Sequence, residues 1–497
     1  MRSSNENDHY DVIVVGGGVS GVYAAWRLAR FAGKRCLLLE SSDRIGGRLH
    51  SIVHPETPHI QAEAGGMRFK ESHRSVFRLA QHLGLDITAF PGGGPENLCY
   101  SRGQHFTRGD LRNTDVIPYR LTDRERGYTP DEILVDIIHR CFPVSGGDPE
   151  RELRDMSYRK VPLWQAGWWN ILSQELSTEA VHFVHHLSGL GGYLRNWNAY
   201  SVALQHYTSE LDGPFFRLSD GFQSLPLELH ARYQSAGGET RMNSSVKGIY
   251  RDRDGALRVG LHSGESHVAA AVVLALPRRA LELLDPLGLP HENPTFGKAL
   301  GSVRLDCAAK IFLWYENEWW SEMGLSSGAS VTDLPLRQCF YFGTESTDNG
   351  HSGGLLMASY NDGIASDYWD TYAHRPRFEN RDDFSPEASL PEDLLDDLQR
   401  QLEILHDRKL PRPHSAILQS WNGDPYGGGW HHWNTNWKPW EVQRLMRRPV
   451  EDARVHVCGE AFSSAQGWVK GALDSAEDML GGQFGLEPPD WLVSQLR

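Results

Sequence analysis

Three kinds of residue in this chain stand at spacings that can do chemistry. Glycines come first. Gly16, Gly18 and Gly21 follow the apolar run Val12–Val15 as Gly-x-Gly-x-x-Gly. Such a loop lets a diphosphate approach the backbone and meet the N–H groups at a helix start. Glu40 closes a second apolar run nineteen residues past Gly21. A carboxylate there accepts hydrogen bonds from a ribose and repels a 2′-phosphate. Cations come next. Arg44 and Arg48 bracket the Gly46-Gly47 turn, an arrangement suited to a second diphosphate contact or to an electron-rich ring. Arg68 follows Gly65, Gly66 and Met67. Its guanidinium fork can make two parallel bonds to a carboxylate; it can also be half of a structural ion pair. Aromatic residues are third: five tryptophans crowd positions 421 to 440, and Trp430 among them follows three glycines.

The elements that must hold these residues can be read from periodicity. Val12–Val15 reads as a strand, Val22, Ala25, Leu28 and Ala29 as one face of a helix, and Cys36–Leu39 as a second strand. That is a βαβ unit, which places the glycine loop between strand and helix. The bare alternative is a βαβ unit whose glycines only make the turn. Residues 110 to 200 read as helical, with Glu132–Ile138 and Thr178–Leu187 at helical spacing. Residues 214 to 284 return to α/β texture. There Met242–Asp252 and Leu257–Leu261 read as strands around an Arg253-Asp254-Gly255 turn, and Val272–Leu276 as a buried strand ending at Pro277. Residues 290 to 445 carry strand and aromatic signals. His456–Glu460 reads as one more short strand, followed by a helix over Gly471–Leu480. The expectation is an α/β protein with a discontinuous Rossmann-like dinucleotide domain (8–70, 214–285 and 446–485). An α+β substrate-binding domain (71–110 and 286–445) and a helical subdomain (111–213) complete it. Simple NAD dehydrogenases usually keep their nucleotide halves contiguous, so the dispersal favours a flavoprotein by analogy of fold.

Composition narrows the partners. The 497 residues carry a net charge of −14, and an acidic chain without a basic tract argues against nucleic acid. No run approaches the roughly 20 apolar residues of a membrane span, so no membrane partner is expected. The polar first ten residues lack an apolar signal core, which sets a cytoplasmic location as the expectation. Six cysteines without a CxxC pair suggest a reduced chain with no metal, and Cys36 a core position. The i,i+4 pair His182 and His186, with His185 beside it, lacks a suitably spaced acidic ligand. His431-His432 reads as surface or pocket rim, and the acidic stretch Glu387–Asp397 as a solvated helix face.

Taken together, Gly-x-Gly-x-x-Gly, Glu40, Arg44–Arg48, Gly65-Gly66-Met67-Arg68, Gly459-Glu460-Ala461-Phe462 and Gly467–Ala472 occur in an order that resembles the flavin-containing amine oxidase family. The resemblance is strongest to the L-amino-acid oxidases. It implies FAD contacted by Gly16, Gly18, Val19, Ser20, Gly21, Glu40 (ribose), Ser41, Arg44, Gly47 and Arg48. Gly65, Gly66, Met67, Arg68, Val246 (adenine), Gly459, Glu460 (diphosphate and ribityl chain), Gly467, Trp468 and Val469 complete the cofactor set. It also implies a catalytic group of Arg68 and Tyr341 on a substrate carboxylate, Lys310 reaching the flavin N5 through a water, and Trp430, Gly467 and Trp468 as walls. Tyr341 has a second reading as a core aromatic of a strand, with Phe340 or Phe342 filling the position instead. Trp430 stands where covalent members of the family carry a cysteine, so the FAD is expected to be non-covalent. The implied reaction is oxidative deamination of L-α-amino acids, aromatic or large apolar ones first, with molecular oxygen as co-substrate and a homodimer as assembly. A monoamine or polyamine oxidase, an amino-acid 2-monooxygenase and a catalytically silent flavin-binding protein are the alternatives.

Overall fold

The computed structural model describes residues 9–192, 195–209, 213–252, 255–343, 353–372, 377–381, 384 and 389–493. Two seven-stranded sheets organise them. The first runs Glu239–Arg241, Cys36–Leu39, His9–Val15, Ser266–Leu274, Leu257–Leu261 and Val246–Arg251, with Val455–Val457 parallel on one end of Ser266–Leu274. Of its five parallel-paired strands, the central Cys36–Leu39, His9–Val15 and Ser266–Leu274 are largely apolar because helices cover one face and a second core the other. Helix Val19–Ala32 packs there against the helices Ser224–Ser235 and Val469–Phe484. Strands from widely separated stretches of the chain therefore build one dinucleotide sheet. Gly21 is what lets the first helix lie so close: a Cβ on it would stand 1.9 Å from the Gly16 carbonyl oxygen.

The second sheet is antiparallel apart from one parallel pair. Its order is Ser415–Ser420, Ala308–Tyr315, Gly354–Asp362, Gln338–Phe342, Ala329–Thr332, Leu98–Ser101 and Gln104–Thr107. One face packs on helix Glu392–His406 through Tyr341, Trp320 and Leu398. The other face, with Phe312, Phe340 and Met357, packs on the Ala62–Met67 segment. Both faces are buried, so the strands are near-continuous in apolar residues rather than alternating. Helices Pro130–Cys141, Trp168–Glu175, Thr178–Leu187 and Ala199–Ser209 share a separate core.

Several local expectations change. Met242–Ser245 leaves the sheet: Asn243 takes φ +53°, and Asn243 and Ser244 donate main-chain bonds to the Ser42 and Glu40 carbonyls. The strand expected over Met242–Asp252 is thus Val246–Arg251. At the expected hairpin turn, Arg253 and Asp254 lie outside the described residues. The acidic stretch is not simply solvated. Asp397 is buried and accepts from Tyr372 Oη (3.0 Å) and Gln401 Nε2 (3.1 Å). Glu387 and Ala388 lie outside the described residues. All six cysteines are free, and no helix among the described residues is long and apolar enough to cross a membrane.

Gly21→Ala tests the helix contact. In an ordinary helix interior the exchange gains up to about 1 kcal/mol. Here the added methyl must push the backbone apart, and we expect a loss of about 1–3 kcal/mol, typical of overpacking, read as a lower denaturant midpoint.

Candidate active site

One elongated cavity of about 420 Å³ joins the two sheets. It runs from Glu40, Ser41 and Val246, past Gly16, Gly18 and Arg48, to Lys310, Tyr360 and Trp468. Glu40 lies at one end with its carboxylate engaged by the loops around it. Gly17 N donates to Oε2 (2.6 Å), and Ser42 N and Oγ donate to Oε1 (both 2.8 Å). Gly18 caps the first helix without a side-chain hydrogen bond, so no side-chain cap competes with an anion for the N–H groups of that turn. A Cβ on Gly18 would meet nothing within 4 Å. Arg48 adds the cation. It donates to the Gly429 carbonyl (2.9 Å) and pairs with Glu460 (2.9 Å). Uncapped helix start, open glycine and cation form a donor set that fits a diphosphate.

The far end is aromatic and holds a buried amine. Lys310 is 4% exposed. Its Nζ donates to the Glu63 carbonyl (2.8 Å) and the Gly65 carbonyl (2.6 Å). Burial pushes its ammonium well below the ordinary lysine range, with Glu63 pulling the other way. Tyr360 is its cross-strand partner, on the same face of the sheet. The Lys310 Nζ lies 4.7 Å from the Tyr360 ring. Burial pushes the Tyr360 hydroxyl up to about 12, so it remains a donor at neutral pH. Trp430 meets Tyr360 edge-on at 6.5 Å. Trp421, also on the cavity wall, donates Nε1–H to the Ala64 carbonyl (2.9 Å). Trp468 stacks on Phe215 at 6.2 Å and meets His73 edge-on at 4.7 Å. The Arg68 guanidinium lies 4.0 Å from the Phe215 ring centre, with Phe90 and Phe340 on its other sides.

Of the residues expected from sequence, Gly16, Gly18, Val19, Ser20, Glu40 and Ser41 line this cavity. So do Gly47, Arg48, Gly65, Gly66, Val246, Gly459, Glu460, Gly467, Val469 and the side chains of Lys310, Trp430 and Trp468. Five stand elsewhere. Gly21 is a packing contact under the loop. Arg44 folds back on its own turn, donating to the Leu49 (3.2 Å) and Gly47 (2.6 Å) carbonyls. Met67 is buried in the core beside Phe90 and Phe312. Arg68 is not part of this lining; it sits on Phe215, with its charge felt by Tyr360 and Lys310. Tyr341 faces away from the cavity: its hydroxyl binds Ser330 Oγ (2.7 Å) and His406 Nε2 (2.8 Å) in the core under helix Glu392–His406. Strand alternation explains the miss, since Phe340, one residue earlier, faces Arg68. The tyrosine that reaches the site is Tyr360. Its signal was a cross-strand pairing with Lys310, which a single sequence does not display.

His431 also departs from expectation. It is fully buried rather than at a rim, while His432 stacks on Trp197 at 3.7 Å and bonds Asp306 (3.0 Å). The helical histidines serve hydrogen bonds: His182 meets Arg102 (3.2 Å) and His186 meets Tyr119 (2.8 Å). His54, Glu56 and His414 bring ligand atoms within 4.8 Å of one another. Arg381 already holds Glu56 at 2.8 and 3.1 Å, and both His54 nitrogens are hydrogen-bonded.

A parallel-stranded cleft with a diphosphate donor set, ending against a buried lysine among aromatic rings, is the arrangement that the resemblance to flavin-containing amine oxidases implies. The comparisons agree. The model of the family described as flavin containing amine oxidoreductase matches residues 19–478. Aplysianin-A of Aplysia kurodai is 28% identical, over 95% of this chain and 90% of its own. The L-amino-acid oxidase of Mus musculus is 26% identical, over 93% and 69%. The putative L-amino-acid oxidase YobN of Bacillus subtilis is 24% identical, over 93% and 92%. A solved putrescine oxidase bound to putrescine superposes with a TM-score of 0.71 at 17% identity, over 96% of this chain and 99% of that one; it shares the fold. The chain belongs to the flavin-containing amine oxidoreductase family. It is an FAD-dependent oxidoreductase.

Exchange of the two tyrosines separates their places. Tyr341→Phe orphans buried partners and is expected to cost about 1–3 kcal/mol of stability while kcat/KM stays unchanged. Tyr360→Phe is expected to lower kcat/KM with little effect on unfolding.

Proposed function

We propose that the protein oxidises L-α-amino acids to 2-oxo acids, releasing ammonia and hydrogen peroxide. One observation carries the reading: Arg68 is set on the face of Phe215, which itself stacks on the cavity wall Trp468. A guanidinium fixed on an aromatic platform beside an amine-oxidising site suits a substrate carboxylate, which simple amines lack. The L preference follows the relatives named as L-amino-acid oxidases. Bound FAD, held without a covalent link, supplies the hydride acceptor and passes its electrons to oxygen.

The chain's own residues do the rest. Arg68 and the Tyr360 hydroxyl anchor the carboxylate, and that anchor fixes which Cα–H faces the flavin. The amine must be neutral before its lone pair can assist loss of hydride. Lys310 spends two N–H bonds on the Glu63 and Gly65 carbonyls, and in its neutral form keeps a lone pair to hold a water or take a proton. Trp430, Trp421 and Trp468 wall the site and exclude bulk water. These walls favour aromatic or large apolar side chains. The product imino acid then hydrolyses in water.

Mixing the holoenzyme anaerobically with amino-acid panels tests the reading. Bleaching of the flavin by L-forms alone is expected; faster bleaching by phenethylamine or putrescine, or an amide as the aerobic product, overturns it. Arg68→Ala is expected to raise KM for amino acids roughly ten- to hundredfold, the scale of a lost charge-assisted pair. An unchanged KM removes Arg68 from the carboxylate. Burial lowers the Lys310 pKa, so its neutral form gains population as pH rises through a value below that of ordinary lysine. The rising limb of the kcat/KM pH profile is therefore expected to lose one ionisation in Lys310→Met, leaving that of the substrate amine.

A further inference from the structure

Glu460 lines the cavity, yet its carboxylate is taken up by the protein. Oε1 accepts from His431 N (2.9 Å) and Gly467 N (2.8 Å). Oε2 accepts from His431 Nδ1 (2.8 Å) and pairs with Arg48 Nη2 (2.9 Å). Two oxygens offer about four lone-pair sites, and four donors fill them. The arrangement fixes the ionisation states. Burial pushes the Glu460 carboxyl up, but Arg48 and His431 hold it far below the usual carboxylate range. Burial keeps His431 below the usual imidazole range. The group is thus an anion, a cation and a neutral imidazole with its proton on Nδ1. One buried charge pair of zero net charge costs far less than a lone ion.

The donors come from different parts of the site. Arg48 belongs to the diphosphate turn, and its other nitrogen holds the Gly429 carbonyl just before Trp430. Gly467 takes φ +80°, a conformation that a side chain resists, and it immediately precedes Trp468. His431 comes from the short Trp430–Trp433 strand, which pairs with Val303–Asp306. It gives Glu460 two of its four hydrogen bonds, one from each oxygen's side. With the carboxylate saturated, Glu460 is a brace for the residues around the cofactor.

We propose that His431 is a positioning residue: by clamping the Glu460 carboxylate through both its main-chain N–H and its Nδ1–H, it couples the Arg48 turn that grips the cofactor diphosphate to the Gly467–Trp468 wall of the substrate box. The proposal rests on the FAD site and on Trp468 facing substrate. It makes cofactor affinity and substrate affinity share one hydrogen-bonded link.

Three variants test it, each assayed for FAD affinity of the apoprotein, steady-state KM and kcat, and thermal unfolding. His431→Leu keeps bulk and loses the Nδ1 donor. It is expected to weaken FAD binding at least roughly tenfold, the scale of a lost bond to a buried charge, and to raise KM more than it lowers kcat. His431→Asn places an amide N–H near the Nδ1 position and is expected to restore both affinities. His432→Asn, on the opposite face of the same strand, controls for damage to the strand and is expected to leave FAD affinity alone. Unchanged FAD affinity in His431→Leu overturns the proposal, as does equal loss in the leucine and asparagine variants. Should His431→Leu fail to fold, Glu460→Gln replaces it. That variant keeps the shape and removes the charge, and it must weaken FAD and raise KM together; loss of only one overturns the link. The FAD arm does not depend on what is oxidised. Failure of wild-type flavin to bleach with L-amino acids strikes the proposed function and leaves this arm standing.

Discussion

Three consecutive carbonyls, those of Glu63, Ala64 and Gly65, are held by a lysine of the second sheet and a tryptophan just past its edge strand. Lys310 takes the outer pair and Trp421 the middle one. The same segment is tied on its other side to the dinucleotide loops: Ala64 N donates to the His50 carbonyl (2.9 Å) and Gly66 N to the Arg48 carbonyl (3.1 Å). A Cβ on Gly65 would stand 2.0 Å from that Arg48 oxygen, so the two backbones are in direct contact. This strip is the joint between the sheet that carries the glycine loop and the sheet that carries Lys310 and Tyr360. The arrangement turns a single amine into both a structural pin and a site group. Its desolvation is tolerable because two carbonyl dipoles replace its water.

The same economy recurs around the cavity. Glu40 braces the glycine loop while lining one end of the cavity, and Arg48 reaches two other segments while offering charge to the middle. Few of these polar groups are dedicated to ligand alone. Buried polar atoms must find partners, so residues that line a site also join its walls. Positional precision then comes from closure of the network rather than from any single strong contact.

Legibility in the sequence followed the range of the interactions. Gly16–Glu40 could be read because strand, turn, helix and second strand are contiguous, and each imposes its own residue type. The Gly467–Ala472 segment was legible as a motif for the same reason. Tyr341 was not: Gln338–Phe342 is buried on both faces, so hydrophobic alternation gives no parity, and a one-residue slip sends the hydroxyl to the opposite core. Tyr360 and Lys310 meet only through strand pairing, fifty residues apart in sequence. His431 reads in the sequence as surface or pocket rim, since nothing local announces that Glu460 lies against it. Arg44 and Arg48 are chemically alike on paper; a four-residue turn sends one back on itself and the other across to Gly429.

The scattered origin of the first sheet has a consequence for biosynthesis. Gly16 and Ala472 line one cavity, and Val455–Val457 completes the sheet beside strand Ser266–Leu274. A ribosome therefore extrudes the glycine loop long before the chain that closes the cofactor's berth exists. Until then the apolar strands at the start have no finished core to enter, and the flavin has no full complement of donors. The full set of groups around the cavity is thereby assembled only once the Val455–Ala472 segment has been made, and binding free energy realised there stabilises the fold that includes it. A chain cut short of that segment lacks both a strand of the sheet and part of the cavity wall.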